Sequence, residues 1–341
     1  MSVAAVLAGE ARSHVALARC EDFAPSLPDG SVNLLWLDPP YFRVVDEAWD
    51  RAWKTEADFL AWLRGVAREA ARVLAPNGSL YLFASAQMGA RVECMAAESL
   101  RVLSGITWVK AEGWHKRQSP GALRSWCAQT ERIVFAEQRG CLGGSPLGDA
   151  LRAARESAGL TQDQLDVAIG RTRAADPLKG SGLIRLQELG DHTPTAEDFV
   201  AALRACGGAS ADDLRHRYTA LARPFAAPAA FTDVWTHATV AAGDPSRHPC
   251  EKPAAMLRDV VLASSRPGDV VCEFFGGSFR MAEVALSHGR RYIGCDADPH
   301  WAAVGVERAR AAERGTLAMV PAREAKPVDA RQPSLFAAVG S

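Results

Sequence analysis

Asp38, Pro39, Pro40 and Tyr41 stand side by side directly after the apolar run Val32 to Leu37. An amine attached to an aromatic ring is a poor nucleophile, because the ring draws its lone pair into conjugation. Accepting both of its hydrogens from fixed directions localises that pair. The Asp38 carboxylate offers one acceptor and the Pro39 carbonyl the other. The two prolines hold the segment extended, and Tyr41 offers a ring for stacking. A strand running into a proline-rich turn would give the same four letters, so their weight comes from what surrounds them.

A second group lies far downstream. The hexapeptide His248-Pro249-Cys250-Glu251-Lys252-Pro253 precedes a helix expected from Ala254. Glu273, Phe274, Phe275, Gly276, Gly277 and Ser278 close one apolar run, and Asp296 and Ala297 close the next. Glycines where a strand ends let a ligand approach the backbone closely.

Positioning these groups requires strands that end together. Val32 to Leu37 reads as a strand buried on both faces, entered from the turn Pro28-Asp29-Gly30. Within Ala57 to Leu74, the residues Phe59, Leu60, Trp62, Leu63, Val66, Ala70, Val73 and Leu74 recur at helical spacing, and Pro76-Asn77-Gly78 turns the chain into a strand from Ser79 to Ala84. Ile106 to Lys110 and Arg132 to Phe135 are further strands, while Asp269 to Phe274, Ser278 to Ser287 and Arg291 to Cys295 read strand, helix, strand. This alternation predicts an α/β fold with a mostly parallel sheet and helices on both faces.

From Leu147 to Tyr218 the pattern changes to short helices with no strand, which predicts a small inserted all-α domain. The chain divides into 1–145, the insert 146–222, a second half 223–313 and a loosely ordered tail 314–341. In the insert Leu151, Ala154, Leu165 and Ile169 share helix faces, Gly159 turns the first helix and Thr161 caps the next. Ten Lys or Arg against eleven Asp or Glu between Pro146 and Arg223 leave it near neutral. The best basic stretch runs from Lys110 through His115, Lys116 and Arg117 to Arg124, with Trp114 and Trp126 among them.

A formal net charge of −1 gives no overall pull toward nucleic acid, so any such contact must be local. The eight cysteines include no CxxC pair and no histidine at zinc spacing, which argues against a disulfide framework and a structural metal. A reducing cytoplasm fits best. Glu10 and Arg12 interrupt the mildly apolar opening, and no run is long enough to span a bilayer, so a soluble, unprocessed protein is expected.

Together the two groups resemble the beta class of amino-methylating DNA methyltransferases, in which the catalytic motif precedes the cofactor motif. GSVNLLWLDPPYF, a helix and RVLAPNGSLYLFAS resemble the catalytic half; HPCEKP and RPGDVVCEFFGGSFRMAEVALSHGRRYIGCDADP resemble the cofactor half. The likeness runs from about Arg19 to Arg310 apart from the insert, and phage and prophage members look closest. It implies a Rossmann-like sheet, S-adenosyl-L-methionine as methyl donor, no metal, and double-stranded DNA whose target base is turned out of the stack. It also implies that Asp38, Pro39, Pro40 and Tyr41 form the amine pocket. Cys20 would line the cofactor adenine; Asp38, Pro39, His248, Pro249 and Lys252 would border its methionine end; Glu273 to Ser278 would form the glycine loop; Asp296 and Ala297 would face the ribose. The leading aspartate favours adenine N6 over cytosine N4.

Some positions depart from the family. Arg19 stands where an aspartate is usual, and Phe279 and Arg280 replace a small residue and a threonine. Phe279 would crowd the cofactor unless it points into the core.

LGDALRAARESAGLTQDQLDVAIG resembles the opening of a phage-repressor-type helix-turn-helix, continued by Pro194 and Thr195, although Pro177, Gly180 and Gly182 interrupt the expected recognition helix. This implies target recognition through Arg171 and Arg173, with Lys110, Lys116, Arg117 and Arg124 as the competing place for DNA contacts and a packing or dimerisation module as the other reading. Gln332, Leu335 and Phe336 belong to a pentapeptide resembling the one by which bacterial proteins dock on the replication sliding clamp. A homodimer is expected by family analogy. Cytosine-N4 methylation and a non-catalytic DNA-binding regulator with a dead cofactor site are the rival functions.

Overall fold

Val32 to Leu37 carries no polar face because both of its faces are covered. Leu35 and Leu37 belong to one hydrophobic core and Leu34 and Trp36 to another, alternating as strand side chains must, while Val32 joins the first core across an irregularity between Val32 and Leu34. The computed structural model describes residues 2–44, 48–110, 124, 126, 128–138, 145–226, 232–240 and 248–315.

Helix α1 (Val3–Leu7), strand β1 (Ser13–Leu17), helix α2 (Cys20–Phe23) and strand β2 (Val32–Leu37) open the chain. Helix α3 (Glu56–Val73), β3 (Leu74–Ser85), α4 (Gly89–Ala96), β4 (Leu100–Val109) and β5 (Thr130–Gln138) follow. The insert holds α5 (Pro146–Ser157), α6 (Gln162–Ala168), β6 (Thr172–Arg173), β7 (Asp176–Gly180), α7 (Leu183–Leu189), α8 (Ala196–Ala205) and α9 (Ala211–Leu221). Strand β8 (Val234–Trp235), α10 (Ala254–Ser264), β9 (Val270–Glu273), α11 (Arg280–Ser287), β10 (Arg291–Asp296) and α12 (Pro299–Glu313) complete it.

One sheet runs in the order β1-β10-β9-β2-β3-β5-β4-β8. Neighbours from β1 through β3 are parallel, β5 is antiparallel to β3 and β4, and β8 is parallel to β4. The carboxyl ends of β2, β3, β4, β9 and β10 therefore share one edge with the start of β5, the edge at which open α/β sheets take ligands. Helix α3 begins where Thr55 and Asp58 cap each other reciprocally, and it buries Phe59, Leu63, Val66, Ala67, Ala70 and Val73 along one stripe. It passes directly into β3. The expected turn at Pro76-Asn77-Gly78 is instead an irregularity within that strand, the pairing stepping from Val32↔Leu74 to Leu34↔Ser79. No described helix is long and apolar enough to cross a membrane.

The insert has its own core, including Leu147, Leu151, Leu165, Ile184, Phe199, Leu203 and Leu214. It is not all-α, which corrects the sequence expectation: β6 and β7 pair as an antiparallel hairpin where the recognition helix was expected to begin. Gly180 lies so close to α6 that a Cβ would stand 2.6 Å from that of Asp166, and Gly182 takes φ +86°. These glycines fit a hairpin packed on a helix, not a continuing helix. Asp166, fully buried, then accepts the amides of Gly182 (2.7 Å) and Ile184 (3.0 Å) as α7 starts.

The insert is seated at the amino edge of the sheet. Asn77 donates to the Ala220 carbonyl (2.7 Å), Arg101 to that of Gly190 (2.7 Å) and Arg266 to that of Thr219 (2.8 Å). Arg101 lies near the start of β4 and Lys110 just past its end, so roughly 30 Å separates this seat from the carboxyl edge at about 3.3 Å per residue.

Asp166→Ala removes both acceptors ahead of α7 and should cost the insert about 2 kcal/mol. Amide hydrogen exchange should quicken in α6 and α7 and not in the sheet. Equal loss of protection in both would contradict an independent core.

Candidate active site

The carboxyl edge gathers a buried charge cluster. Asp38 follows β2, Lys110 follows β4, Glu131 is the second residue of β5 and Lys252 stands two residues ahead of α10. The Lys252 ammonium donates to Asp38 Oδ2 and lies 3.7 Å from Glu131 Oε2, while Lys110 donates to Glu131 Oε1. The Tyr41 hydroxyl is 2.7 Å from Asp38 Oδ1 and 2.9 Å from Glu131 Oε2, within donating reach of both. Lys252 is 7% exposed and Glu131 8%. Such burial is tolerable only because two carboxylates balance two ammonium groups. The Lys252 Nζ also sits over the rings of Phe83 (4.8 Å) and Tyr41 (5.4 Å).

The electrostatics follow from this packing. Burial alone would push the Lys252 ammonium down, but Asp38 and Glu131 outweigh it and hold it above the usual lysine range. Burial likewise opposes charge on Glu131, yet Lys252 and Lys110 keep its carboxyl below the ordinary range. Burial, together with the neighbouring Asp38 and Glu131 carboxylates, pushes the Tyr41 phenol well above its ordinary value, so it remains a donor.

Past Tyr41 the backbone takes two successive left-handed residues, Phe42 (φ +60°) and Arg43 (φ +61°), a conformation that side chains disfavour. Asp50 holds it. Its Oδ1 accepts the Tyr41 amide (2.6 Å), its Oδ2 the Val44 amide (2.5 Å) and its carbonyl the Arg43 amide (2.9 Å). The carboxylate is fully buried, and Phe42 stacks on Phe59 of α3 (5.7 Å).

The glycine loop lies beside this cluster, since β9 and β2 are neighbours. Gly277 has φ +47°, and a Cβ there would stand 3.2 Å from the His248 ring. Its amide donates to Asp296 Oδ2 (2.7 Å), and the Gly276 amide donates to the Cys295 carbonyl (2.9 Å), which ties the loop to the end of β10. His248 stands between Trp49 (6.5 Å) and Trp301 (4.9 Å), and burial keeps its imidazole below the usual histidine range. Phe279 has φ +54° and is 0% exposed. Its ring points into the core, into space that only glycine at 276 and 305 leaves open. The crowding expected from a large residue here is directed away from the loop's outer face. Arg280 bonds Glu251 (2.8 Å) and Glu283 (2.6 Å), joining the HPCEKP segment to α11.

A family model described as DNA methylase, N6_N4_Mtase, matches residues 32–307, a span that holds the DPPY quartet, the glycine loop and Asp296. The chain belongs to this family. It is thus a DNA methyltransferase, and its methyl donor is S-adenosyl-L-methionine. DNA adenine methyltransferase YhdJ of Escherichia coli (strain K12) is 22% identical over 290 residues, which are 83% of this chain and 77% of that protein. Type II methyltransferase M2.DpnII of Streptococcus pneumoniae is 35% identical over 81 residues, 23% of this chain and 30% of that one. The solved PvuII DNA methyltransferase, cytosine-N4-specific, shares the fold with a TM-score of 0.52 at 11% identity, over 87% of this chain and 86% of its own.

The donor set fits the cofactor of this methylase family: a backbone cradle at Gly277 that a Cβ would fill, rimmed by the half-exposed Asp296 carboxylate. Among the other residues expected at the cofactor, Cys20 opens α2 and is 6% exposed, and Phe275 is half-buried against Trp62 (5.8 Å). Pro249 and Ala297 are exposed, and Ser278 is buried. The Phe274 ring is 1% exposed and packs edge-on against Phe23 (6.3 Å), which leaves its backbone as the part that can face a ligand. Glu273 is turned inward to accept the Tyr292 hydroxyl (2.5 Å), and burial raises its carboxyl well above the usual range.

The residues expected at DNA divide. Lys110 donates its ammonium to Glu131. Arg124 is exposed, and Lys116 and Arg117 lie outside the described residues, as do Gln332, Leu335 and Phe336. Arg171 pairs with Asp198 (2.8 Å), and Arg173 Nε donates to the Gly180 carbonyl (2.9 Å). Glu131 and Asp50 were not singled out in the sequence. An acid at the head of the strand stretch ERIVFA is the signal that could have pointed to Glu131.

Asp50→Ala removes two acceptors from the left-handed turn and should speed tryptic cleavage after the exposed Arg43 by about tenfold or more, the equivalent of roughly 1–3 kcal/mol for buried amides left unpaired. An unchanged cleavage rate would show that the turn is held by other contacts.

Proposed function

We propose that the chain methylates N6 of an adenine turned out of a DNA duplex. Asp38 carries the reading: a carboxylate at the end of a central strand, linked to Tyr41 and lying next to the strand whose glycine loop fits the cofactor. In this reading Asp38 and the Pro39 carbonyl accept the two amine hydrogens and aim the lone pair, Pro40 shapes the pocket and Tyr41 bounds it. Asp296 would hold the ribose hydroxyls, the Gly276–Gly277 backbone and the His248–Lys252 segment would hold the methionine end, and Cys20 would line the adenine. Once bound, the cofactor supplies a methyl group on a cationic sulfur. The protein contributes positioning, exclusion of water and a carboxylate beside the nitrogen that becomes cationic and sheds a proton.

The leading aspartate of the quartet and the name of the Escherichia coli relative support adenine. An inward Phe279 leaves the loop open to a cofactor and speaks against an inactive regulator. We assign the DNA contacts to the stretch holding Lys116, Arg117 and Arg124, whose flanks Lys110 and Thr130 stand at the carboxyl edge. Arg171 and Arg173 are disfavoured, because the insert is seated roughly 30 Å away along β4.

Labelled S-adenosyl-L-methionine incubated with unmethylated duplex DNA, followed by digestion to nucleosides, should yield N6-methyladenine. Asp38→Ala should transfer about a hundredfold less. N4-methylcytosine as the product would overturn the adenine reading; no transfer, or equal transfer by the variant, would overturn the site.

A further inference from the structure

The Asp38 carboxylate has both oxygens engaged, Oδ2 by the Lys252 ammonium and Oδ1 by the Tyr41 hydroxyl at 2.7 Å. Each oxygen can still accept a second donor, but an ammonium on Oδ2 cancels the negative charge that a nitrogen turning cationic draws on. The Tyr41 hydroxyl can turn its single hydrogen from Asp38 Oδ1 (2.7 Å) to Glu131 Oε2 (2.9 Å) without moving its ring, but it is uncharged; Lys252 is the donor whose shift changes the charge on Asp38. An ammonium that is 7% exposed cannot retreat into water without losing its compensation. One other carboxylate lies on its path: Glu131 Oε2, at 3.7 Å.

Resting on the reading of Asp38 as the amine acceptor, we propose that Glu131 is a positioning residue that receives the Lys252 ammonium when the target amine takes its place on Asp38. A shift of about 1 Å converts the 3.7 Å approach into a hydrogen bond. The ring faces of Phe83 and Tyr41 keep the cation in favourable contact on the way. No proton need move, and the cluster keeps its neutrality. The effect is to return a full negative charge to Asp38 when positive charge develops on the methylated nitrogen. Lys110, bonded to the other Glu131 oxygen, fixes the receiving carboxylate in place.

The test compares the unaltered protein, Glu131→Gln, Lys252→Gln and the double variant in methyl transfer to unmethylated duplex DNA. Glu131→Gln keeps the shape and one acceptor but loses the charge that attracts the ammonium. Its kcat should fall at least tenfold with KM for S-adenosyl-L-methionine within about twofold. Its kcat should also rise close to tenfold per unit from pH 7 to pH 9, as Lys252 must now deprotonate to leave Asp38, whereas the unaltered protein should stay nearly flat. The double variant should be faster than Glu131→Gln. A Glu131→Gln protein with unaltered kcat, a flat profile for that variant, or a double variant no faster than it would overturn the proposal while transfer by the unaltered protein sustains the amine site. No transfer by the unaltered protein would overturn both.

Discussion

Much of this molecule is arranged around one buried ammonium group. Lys252 needs carboxylates within reach because an unpaired charge at its depth would be expelled or neutralised. Its two partners come from stretches far apart in sequence: Asp38 from the end of β2 and Glu131 from the start of β5. The sheet order puts β3 between those strands, and β3 supplies Phe83 beneath the cation. The antiparallel β5 is what brings an amino end to the edge where the parallel strands finish. An entirely parallel sheet would place Glu131 at the opposite edge.

Backbone strain gathers at the same place. Among the described residues, the non-glycine positions with positive φ are Phe42, Arg43 and Phe279. Two follow the DPPY quartet and one closes the glycine loop. Strained residues persist where their surroundings over-determine them. Here the causes are visible: Asp50 captures the amides around the first pair, and glycines at 276 and 305 make room for the ring of Phe279. The unusual phenylalanine therefore changes the packing under the loop and leaves its ligand-facing backbone intact.

The strands that carry the site were legible because they lie deep. β2 is apolar on both faces and was bounded to the residue, and the helix at Ala254 began where its preceding proline implied. β1 was missed, since it is a half-buried edge strand with a single neighbour and a weak pattern. The hairpin of the insert was missed for a different reason. Gly180 and Gly182 read as a broken helix, and the contact with Asp166 that gives them their purpose joins residues fourteen and sixteen positions apart. Glu131 and Asp50 escaped notice because their importance rests on partners ninety and nine residues away, and neither occurs in a motif with chemistry of its own. Motifs named the groups that touch ligands; tertiary pairing was needed to find those that hold them.

The seat of the insert at the amino edge sets that module apart from the charge cluster at the carboxyl edge. The most direct measurement is a crystal structure of the chain with S-adenosylhomocysteine and a duplex carrying its own recognition site. The expected result is an extruded base with its amine on Asp38 and the Pro39 carbonyl, and Lys252 drawn over to Glu131. An amine bound elsewhere, or Lys252 still on Asp38 beside the bound base, would contradict it.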